Sequence, residues 1–241
     1  MAVHQCARYC SNPKAIHELA VKRIARYLLS TQDKGLILTP STSLSLYMHV
    51  DADFAGWWHR EFSELRDSVL SRSSYVISFC GCPVVWASKL QTEIALSTTE
   101  SEYIALSTAT CDLLPLWRIL QDIHNLSFIK LSCNNPNDTI SSPCLPPSKI
   151  VEDNNACITL ATTEMHFRPR TKHISIKFHH FHDKIRDGTL TVIKIGTNEN
   201  IADIFTKPLS RIKFQHLRRL LMGYDSKGFS DFAVCHTREV F

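Results

Sequence analysis

The chain has 241 residues, of which 44% are hydrophobic and 21% charged, and its formal net charge is +4. This size and apolar fraction allow a buried core without disulfides and exclude an intrinsically disordered chain. No apolar run approaches the length of a membrane span, so we expect no membrane partner. The first ten residues hold no long apolar stretch. We therefore expect no secretory signal and a cytoplasmic or nuclear protein.

The first predicted element is a helix over residues 11–34, because apolar side chains recur there at helical spacing. Asn12 suits the N-cap, Pro13 the first helical position, and Gly35 the end of the helix. The apolar stripe of this helix must pack against another surface. If the stripe is exposed, we expect poor solubility or self-association.

Three short strands are predicted next. From residue 44 apolar and polar residues alternate, which predicts a strand over 44–51 that ends at Asp51. Two further strands, 75–79 and 84–87, are separated by a Gly-Cys-Pro turn that is typical of a hairpin. The sequence therefore predicts three antiparallel strands in succession.

A long helix is predicted over residues 98–123. Thr99 and Glu102 are three residues apart at its start, which favours a capping box. Pro115 lies inside the helix and should kink it or split it in two. Asn, Ser and Pro are frequent over residues 130–148, which predicts a loop.

The second half of the chain is predicted to alternate between strands and helices. The predicted elements are a strand over 149–152, a helix over 154–162, a helix over 174–187, a strand over 189–195 and a helix over 200–206. The complete order, β-β-β-α-β-α-α-β-α, implies a mixed α/β sheet with helices on its faces.

Four acidic residues lie where predicted elements begin or end. Asp51 and Asp153 close two strands, and Glu102 and Asp203 lie in the first turns of two helices. If the two strands are parallel neighbours, both aspartates emerge at the same edge of the sheet. Clustered carboxylates repel unless cations lie among them, and oxygen ligands suit Mg²⁺ or Mn²⁺. Two such ions can drive phosphodiester hydrolysis, although acids at these positions are also ordinary cap and turn residues.

Basic residues concentrate in residues 165–219, where twelve Lys and Arg accompany four Asp and Glu. This segment could contact a polyanion such as a nucleic acid, or it could be a solvated surface. It also contains half of the twelve histidines, but no cysteines at zinc-finger spacing accompany them.

Several motifs in a fixed order resemble the ribonuclease H region of copia-type LTR-retrotransposon Gag-Pol polyproteins. The matching stretches are VDADFAG (50–56), GCPVVWASKLQTEIALSTTESEYIAL (81–106), VEDNNACITLA (151–161), RPRTKHISIKFHHFHDKI (168–185) and NIADIFTKPL (200–209). Residues 2–38 resemble the segment that joins reverse transcriptase to ribonuclease H. The resemblance implies an α/β ribonuclease H-like fold: a five-stranded mixed sheet of order 3-2-1-4-5 flanked by helices, plus an N-terminal helix.

The resemblance also implies a metal site and a reaction. The four acids of the family match Asp51, Glu102, Asp153 and Asp203, the residues that the element ends had singled out. We expect these acids to hold two Mg²⁺ ions, which Mn²⁺ can replace, and to hydrolyse the RNA strand of an RNA–DNA hybrid. Asp51 and Asp153 would hold both ions. Glu102 would hold the ion near the RNA, and Asp203 the ion near the attacking water.

Contacts to the nucleic acid are expected beside these acids. Asn154 is a candidate for a contact with the RNA 2′-hydroxyl. Trp86 and Trp117 are predicted to be core residues rather than platforms on which bases stack. A basic stretch would hold phosphates and make binding sensitive to salt. Its residues are Arg168, Arg170, Lys172 and Lys177.

The resemblance divides the chain into three predicted regions: residues 1–40 as the reverse transcriptase connecting segment, 41–209 as the ribonuclease H-like domain and 210–241 as a C-terminal tail. The chain has no YxDD motif of a reverse transcriptase, so we expect it to be a piece of a polyprotein or a decayed copy. The implied partners are the hybrid and the reverse transcriptase part of the same polyprotein. The implied location is a cytoplasmic virus-like particle or the nucleus.

Two other functions remain open. An integrase-type transferase shares this fold, but it needs a helical Glu in the region where this chain has Asp187 and Gly188. A catalytically silent nucleic-acid-binding remnant is the second alternative. The presence of all four acids favours an active enzyme.

Overall fold

The computed structural model describes residues 1–56, 60, 68–125, 145–163 and 180–224. The strands are β1 (Leu46–Asp53), β2 (Arg72–Phe79), β3 (Cys82–Leu90), β4 (Ser148–Glu152) and β5 (Leu190–Lys194). The helices are α1 (Ala2–Ala7), α2 (Ala15–Leu29), α3 (Thr98–Asn125), α4 (Asn155–Thr162), α5 (His182–Arg186), α6 (Asp203–Thr206) and α7 (Arg211–Met222).

The strands form one mixed sheet in the order β3-β2-β1-β4-β5. β2 lies antiparallel to β1 and β3, whereas β4 lies parallel to β1 and β5. Parallel neighbours need a crossover connection, and helices lie in the connections before and after β4. The predicted five-stranded mixed sheet of order 3-2-1-4-5, flanked by helices and preceded by an N-terminal helix, is confirmed.

Helices cover both faces of the sheet. On one face, Met48 of β1 belongs to the main core together with Tyr103 of α3, and both are fully buried. On the other face, Val76 of β2 packs with Ile201 and with Leu217 of α7. Because both faces are covered, β1 is buried over almost its whole length. A carboxylate on this strand therefore loses most of its water on either face.

Helix α7 was not predicted, because the helix over 200–206 was expected to be the last one. The structure has only the short α6 there, and α7 follows it. Ser210 caps α7 by accepting a hydrogen bond from the backbone N–H of Lys213. Gly223 ends α7 with a left-handed φ of 75°. Both signals are visible in the sequence. The boundaries at residues 40 and 209 stay a prediction.

The predicted capping box of α3 is wrong by two residues. Ser97 Oγ accepts a hydrogen bond from the Glu100 backbone N–H at 3.1 Å, and Glu100 Oε2 accepts one from the Leu96 backbone N–H at 2.7 Å. Ser97 and Glu100 thus satisfy the first turn instead of Thr99 and Glu102. The Glu102 carboxylate lies instead beside those of Asp51 and Asp153.

Pro115 does not split the long helix. α3 runs without interruption over 28 residues and contains Pro115. Leu113, just before this position, is fully buried in the main core, and Trp117 and Leu120, just after it, pack against the same core. Burial of the apolar face outweighs the local cost of the proline, so of the two predicted outcomes the split is wrong, whereas the kink stays a prediction.

The helix predicted over 11–34 is present as the shorter α2, and α1, which precedes it, was not predicted. α2 begins at Ala15, so Asn12 is not its N-cap, and it ends at Leu29. No residue of α2 is buried among the described residues. Ile16 is 68% exposed and Leu19 62%. The apolar stripe is therefore open to solvent, and the self-association expected from it stays a prediction.

The remaining elements follow the sequence closely. β4, α4 and β5 lie within one or two residues of their predicted bounds. Of the helix predicted over 174–187, residues 174–179 lie outside the described part, and α5 is the described remainder. Most of the loop predicted over 130–148 also lies outside it. None of the described helices is long and apolar enough to cross a membrane.

The two tryptophans behave differently. Trp117 packs against the main core, as expected. Trp86 is 53% exposed on β3, so the prediction that it belongs to the core is wrong. β3 is an edge strand, and the side chains of Val84 and Trp86 share its open face.

Candidate metal site

Strand pairing brings two of the predicted acids to one edge of the sheet. β1 and β4 are parallel neighbours, with His49 opposite Val151. Asp51 lies two residues further along β1, and Asp153 directly follows the end of β4. Asp51 is inside β1, which continues to Asp53, and does not end it as predicted. Because parallel strands run in the same direction, both aspartates reach the carboxyl edge of the sheet.

Glu102 completes a cluster of three carboxylates. It lies in the second turn of α3, which packs against β1. One carboxylate oxygen from each of Asp51, Glu102 and Asp153 lies within 4.8 Å of the others. We call these three residues the three-carboxylate half of the site.

Burial disfavours the charge on Asp51. The residue is only 1% exposed, and desolvation raises the pKa of its carboxyl group to about 7. Lys207 and a hydrogen bond from the Thr206 hydroxyl lower this pKa, whereas the neighbouring Asp203 raises it further. Any additional positive charge nearby would therefore stabilise the ionised form of Asp51.

Glu102 is in a similar position. Burial raises the pKa of Glu102 well above its usual value, and the charges of Glu152, Asp51 and Asp153 add to this effect. Its Oε2 is buried without a hydrogen-bond partner among the described residues. Carboxylate oxygens are the preferred ligands of Mg²⁺ and Mn²⁺. The three-carboxylate half therefore fits a divalent cation, which would offset the repulsion.

Asp203 lies beside this cluster but has different neighbours. It is the first residue of α6 and is fully buried. Lys207 Nζ lies 2.6 Å from Asp203 Oδ1 and 3.4 Å from Asp51 Oδ1. Lys213 Nζ donates to Asp203 Oδ2, and to the Thr197 carbonyl at 2.9 Å. We call Asp203, Lys207 and Lys213 the Asp203 half of the site.

Curated polyproteins from plant transposons match almost the whole chain, whereas no protein-family model matches it. The chain is 31% identical over 218 residues to the retrovirus-related Pol polyprotein from transposon RE2 of Arabidopsis thaliana. It is 33% identical over 222 residues to the corresponding polyprotein from transposon TNT 1-94 of Nicotiana tabacum. These alignments cover 90% and 91% of the chain. The chain is therefore similar in sequence to retrotransposon Pol polyproteins over nearly its whole length. The family resemblance inferred from the sequence motifs is confirmed.

The chain spans only 13% and 14% of the length of those two relatives. Among solved structures, it is similar to LC11-RNase H1 in complex with an RNA/DNA hybrid. The identity is 15%, the alignment covers 67% of this chain and 94% of that one, and the TM-score is 0.38. Because this score is low, the fold assignment rests on the strand order and pairing described above.

Glu152 is a neighbour of the site that the sequence motifs did not single out. It is the last residue of β4 and is fully buried. Its Oε1 accepts hydrogen bonds from the backbone N–H groups of Asp153 and Asn154, both at 3.1 Å. Burial raises the pKa of Glu152 to about 8, against the effect of these hydrogen bonds. Glu152 thus holds the turn that presents Asp153, and the adjacent acids in the VEDNN motif were the signal for it.

Polar contacts fix the start of α6 against the sheet. Asn200 Nδ2 donates to the Val50 carbonyl at 2.7 Å, and Ser74 Oγ donates to the Ala202 carbonyl at 2.8 Å. The Thr206 hydroxyl donates to Asp51 Oδ2. All three polar side chains are fully buried. They place Asp203 next to β1, although α6 itself is a single turn.

The lysines of the Asp203 half were not predicted either. Asp203 and Lys207 are four residues apart, a spacing that permits an ion pair on a helix and is visible in the sequence. Lys213 comes from the unpredicted α7, so nothing in the local sequence pointed to its contact with Asp203.

The residues predicted to contact nucleic acid are only partly described. Asn154 is the N-cap of α4, and its side chain accepts hydrogen bonds from the backbone N–H groups of Ala156 and Cys157. Its predicted contact with the RNA 2′-hydroxyl stays a prediction. The basic stretch lies outside the described residues. Its members are Arg168, Arg170, Lys172 and Lys177.

Proposed function

We propose that the chain is a ribonuclease H-type endonuclease that uses Mg²⁺ or Mn²⁺ to hydrolyse the RNA strand of RNA–DNA hybrids during retrotransposon reverse transcription. The observation that carries this proposal is the three-carboxylate half, where Asp51, Glu102 and Asp153 meet within 4.8 Å at the carboxyl edge of the sheet. The homology to retrovirus-related Pol polyproteins supports the choice of substrate.

In this mechanism, Asp51 and Asp153 would hold both divalent ions, Glu102 would hold the ion near the RNA, and Asp203 would hold the ion near the attacking water. The two ions would supply activation of water and stabilisation of the leaving oxygen of the phosphodiester. β1 and β4 fix Asp51 and Asp153 rigidly, because both residues lie at positions set by the sheet. Glu152 orients the turn before α4 through the Asp153 and Asn154 backbone.

Substrate binding would use the surface around this edge. Asn154 would contact the 2′-hydroxyl of the RNA strand, which distinguishes RNA from DNA. The basic stretch would neutralise phosphates, so we expect hybrid binding to weaken as salt increases. Its residues are Arg168, Arg170, Lys172 and Lys177. The proposed partner in the same polyprotein is reverse transcriptase, and the proposed location is a cytoplasmic virus-like particle or the nucleus.

A cleavage assay tests the proposal. The purified chain is incubated with a hybrid labelled on either strand, with Mg²⁺, Mn²⁺ or EDTA. We expect cleavage of the RNA strand only and no cleavage with EDTA. The Asp153→Asn variant should be inactive, because it loses a carboxylate that holds the ion.

Asp183→Asn is the matched control for this variant. Asp183 forms an exposed ion pair with Arg186 on α5, away from the site, so its removal should leave cleavage unchanged. If the wild-type chain is folded by circular dichroism and binds the hybrid but does not cut it, the proposal is wrong. The silent nucleic-acid-binding remnant is then the better description.

A further inference from the structure

Lys207 occupies a position between two of the acids assigned to metal binding. Its Nζ lies 2.6 Å from Asp203 Oδ1 and 3.4 Å from Asp51 Oδ1. A single ammonium group therefore bridges β1 and α6, where the second divalent ion is expected to sit. The remaining Asp51 oxygen accepts a hydrogen bond from Thr206.

The second oxygen of Asp203 is also engaged. Lys213 Nζ contacts Asp203 Oδ2 and is anchored by the Thr197 carbonyl. Both oxygens of Asp203 thus contact a lysine. Glu102, by contrast, forms no ion pair with a lysine among the described residues, and its buried Oε2 has no hydrogen-bond partner there. The acids of the two halves therefore differ in how much of their charge the protein itself neutralises.

Lys207 is able to leave this position without unfolding of the site. It is the residue that follows α6, its backbone is extended, and its side chain is 32% exposed. Asn200, Ser74 and Thr206 hold α6 in place independently of Lys207. A flexible lysine side chain can therefore move into solvent while the carboxylates stay where they are.

We propose that Lys207 is a built-in competitor for the second divalent ion: its ammonium group occupies the space between Asp51 and Asp203, and an ion enters there only when that group swings out. The inference rests on the proposed function, because it takes these acids as ligands. It predicts one tight and one weak divalent-ion site. An ammonium group and a divalent ion a few ångströms apart repel, so they exclude each other.

Lysine reactivity in the wild-type chain gives a test that needs no variant. The protein is reductively methylated at increasing Mn²⁺ concentration, and modification of each lysine is measured by mass spectrometry. We expect the methylation rate of Lys207 to rise as the second ion binds. Lys184, which pairs with Asp187 on α5, is the internal control and should react at a constant rate. A Lys207 rate that stays flat or falls while the second ion binds contradicts the proposal.

Mn²⁺ binding, measured by electron paramagnetic resonance, provides the second test. In Lys207→Gln the weak site should tighten at least about tenfold, or about 1.4 kcal/mol. Lys207→Arg should keep one tight and one weak Mn²⁺ site, as in the wild type. Lys184→Gln controls for the loss of one positive charge. An unchanged weak site in folded Lys207→Gln overturns the proposal but leaves the proposed function intact. A wild-type chain that binds no Mn²⁺ at these acids contradicts both.

Discussion

The three-carboxylate half and the Asp203 half contain the same kind of residue at the same edge of the sheet, but their charges are balanced differently. Asp51, Glu102 and Asp153 lie within 4.8 Å of one another, and burial raises the pKa of Asp51 to about 7. Asp203 is equally buried, yet Lys207 and Lys213 contact both of its oxygens. The acids of the first half share one lysine contact, from Lys207 to Asp51 at 3.4 Å, whereas both oxygens of Asp203 contact a lysine.

The acids of the two halves should affect the stability of the metal-free protein in opposite directions. Acids that repel one another lower the stability of the metal-free protein, and they are retained where a ligand needs them. An acid paired with buried or half-buried lysines contributes to stability, and its removal leaves unbalanced positive charge. The two halves should therefore respond in opposite ways to the loss of one carboxylate charge.

Glu102→Gln should produce the largest effect on activity. Removing a direct metal ligand should lower hybrid cleavage at least about 100-fold, the upper end of the range for residues that only support a ligand. The same variant should be more stable than the wild type in EDTA, because its neutral amide removes repulsion with Glu152, Asp51 and Asp153. Cleavage rates and thermal unfolding measure the two effects. A destabilised variant in EDTA would contradict the account of the three-carboxylate half.

Asp203→Asn should have the opposite effect on stability. The neutral amide leaves Lys213 without its buried counter-charge and Lys207 with Asp51 alone. Because both lysines are partly exposed, we expect a loss of about 1–3 kcal/mol rather than the full cost of an unpaired buried charge. Urea unfolding in EDTA measures this loss. If Asp203→Asn is as stable as the wild type, the lysine contacts do not stabilise the fold.

Glu152 offers a smaller test of how the three-carboxylate half is held. Glu152→Gln keeps an oxygen that can accept the Asp153 and Asn154 N–H groups, whereas Glu152→Leu does not. We expect Glu152→Leu to weaken Mn²⁺ binding about 10–100-fold, whereas Glu152→Gln should bind Mn²⁺ with nearly the wild-type affinity. Calorimetric titration with Mn²⁺ separates the two variants. Equal affinities in both would mean that Glu152 does not orient Asp153.

The pH dependence of stability tests the same buried acids without a variant. Burial raises the folded-state pKa of Asp51 to about 7 and that of Glu152 to about 8. The folded chain therefore keeps protons that the unfolded chain has already released, so the metal-free protein should lose stability as pH rises from about 5 to 8. Excess Mn²⁺ should flatten this slope, because the ion binds the deprotonated acids. Melting temperatures across this range test it, and a rise with pH in EDTA would contradict the assignment.

The sequence predicted the acids of the three-carboxylate half because each of them lies in a recognisable motif at a strand or a helix start. Asp51 and Asp153 follow from a parallel pairing that the order of elements implies, and Glu102 follows from a motif at the start of α3. Each of these acids is placed by a regular element and not by a side-chain contact. The same reason made the strand order predictable.

Asp203 itself was predicted in the same way, but the lysines of the Asp203 half were not, because their positions depend on contacts between distant segments. Lys213 reaches Asp203 from a helix that was expected to be a tail, and Asn200 bonds to Val50 across 150 residues. Local rules also failed where packing outweighs them. Pro115 stays inside α3, and Trp86 is exposed because β3 is an edge strand.

The central claim is that Asp51, Glu102 and Asp153 together bind a divalent ion. Anomalous diffraction from a crystal of the chain soaked in Mn²⁺ tests it most directly, since manganese gives a signal that carboxylates do not. The account predicts an anomalous peak within coordination distance of one oxygen from each of these three residues. It predicts no peak there in Asp153→Asn crystals treated in the same way. A fully soaked wild-type crystal whose manganese peaks lie only elsewhere would contradict it.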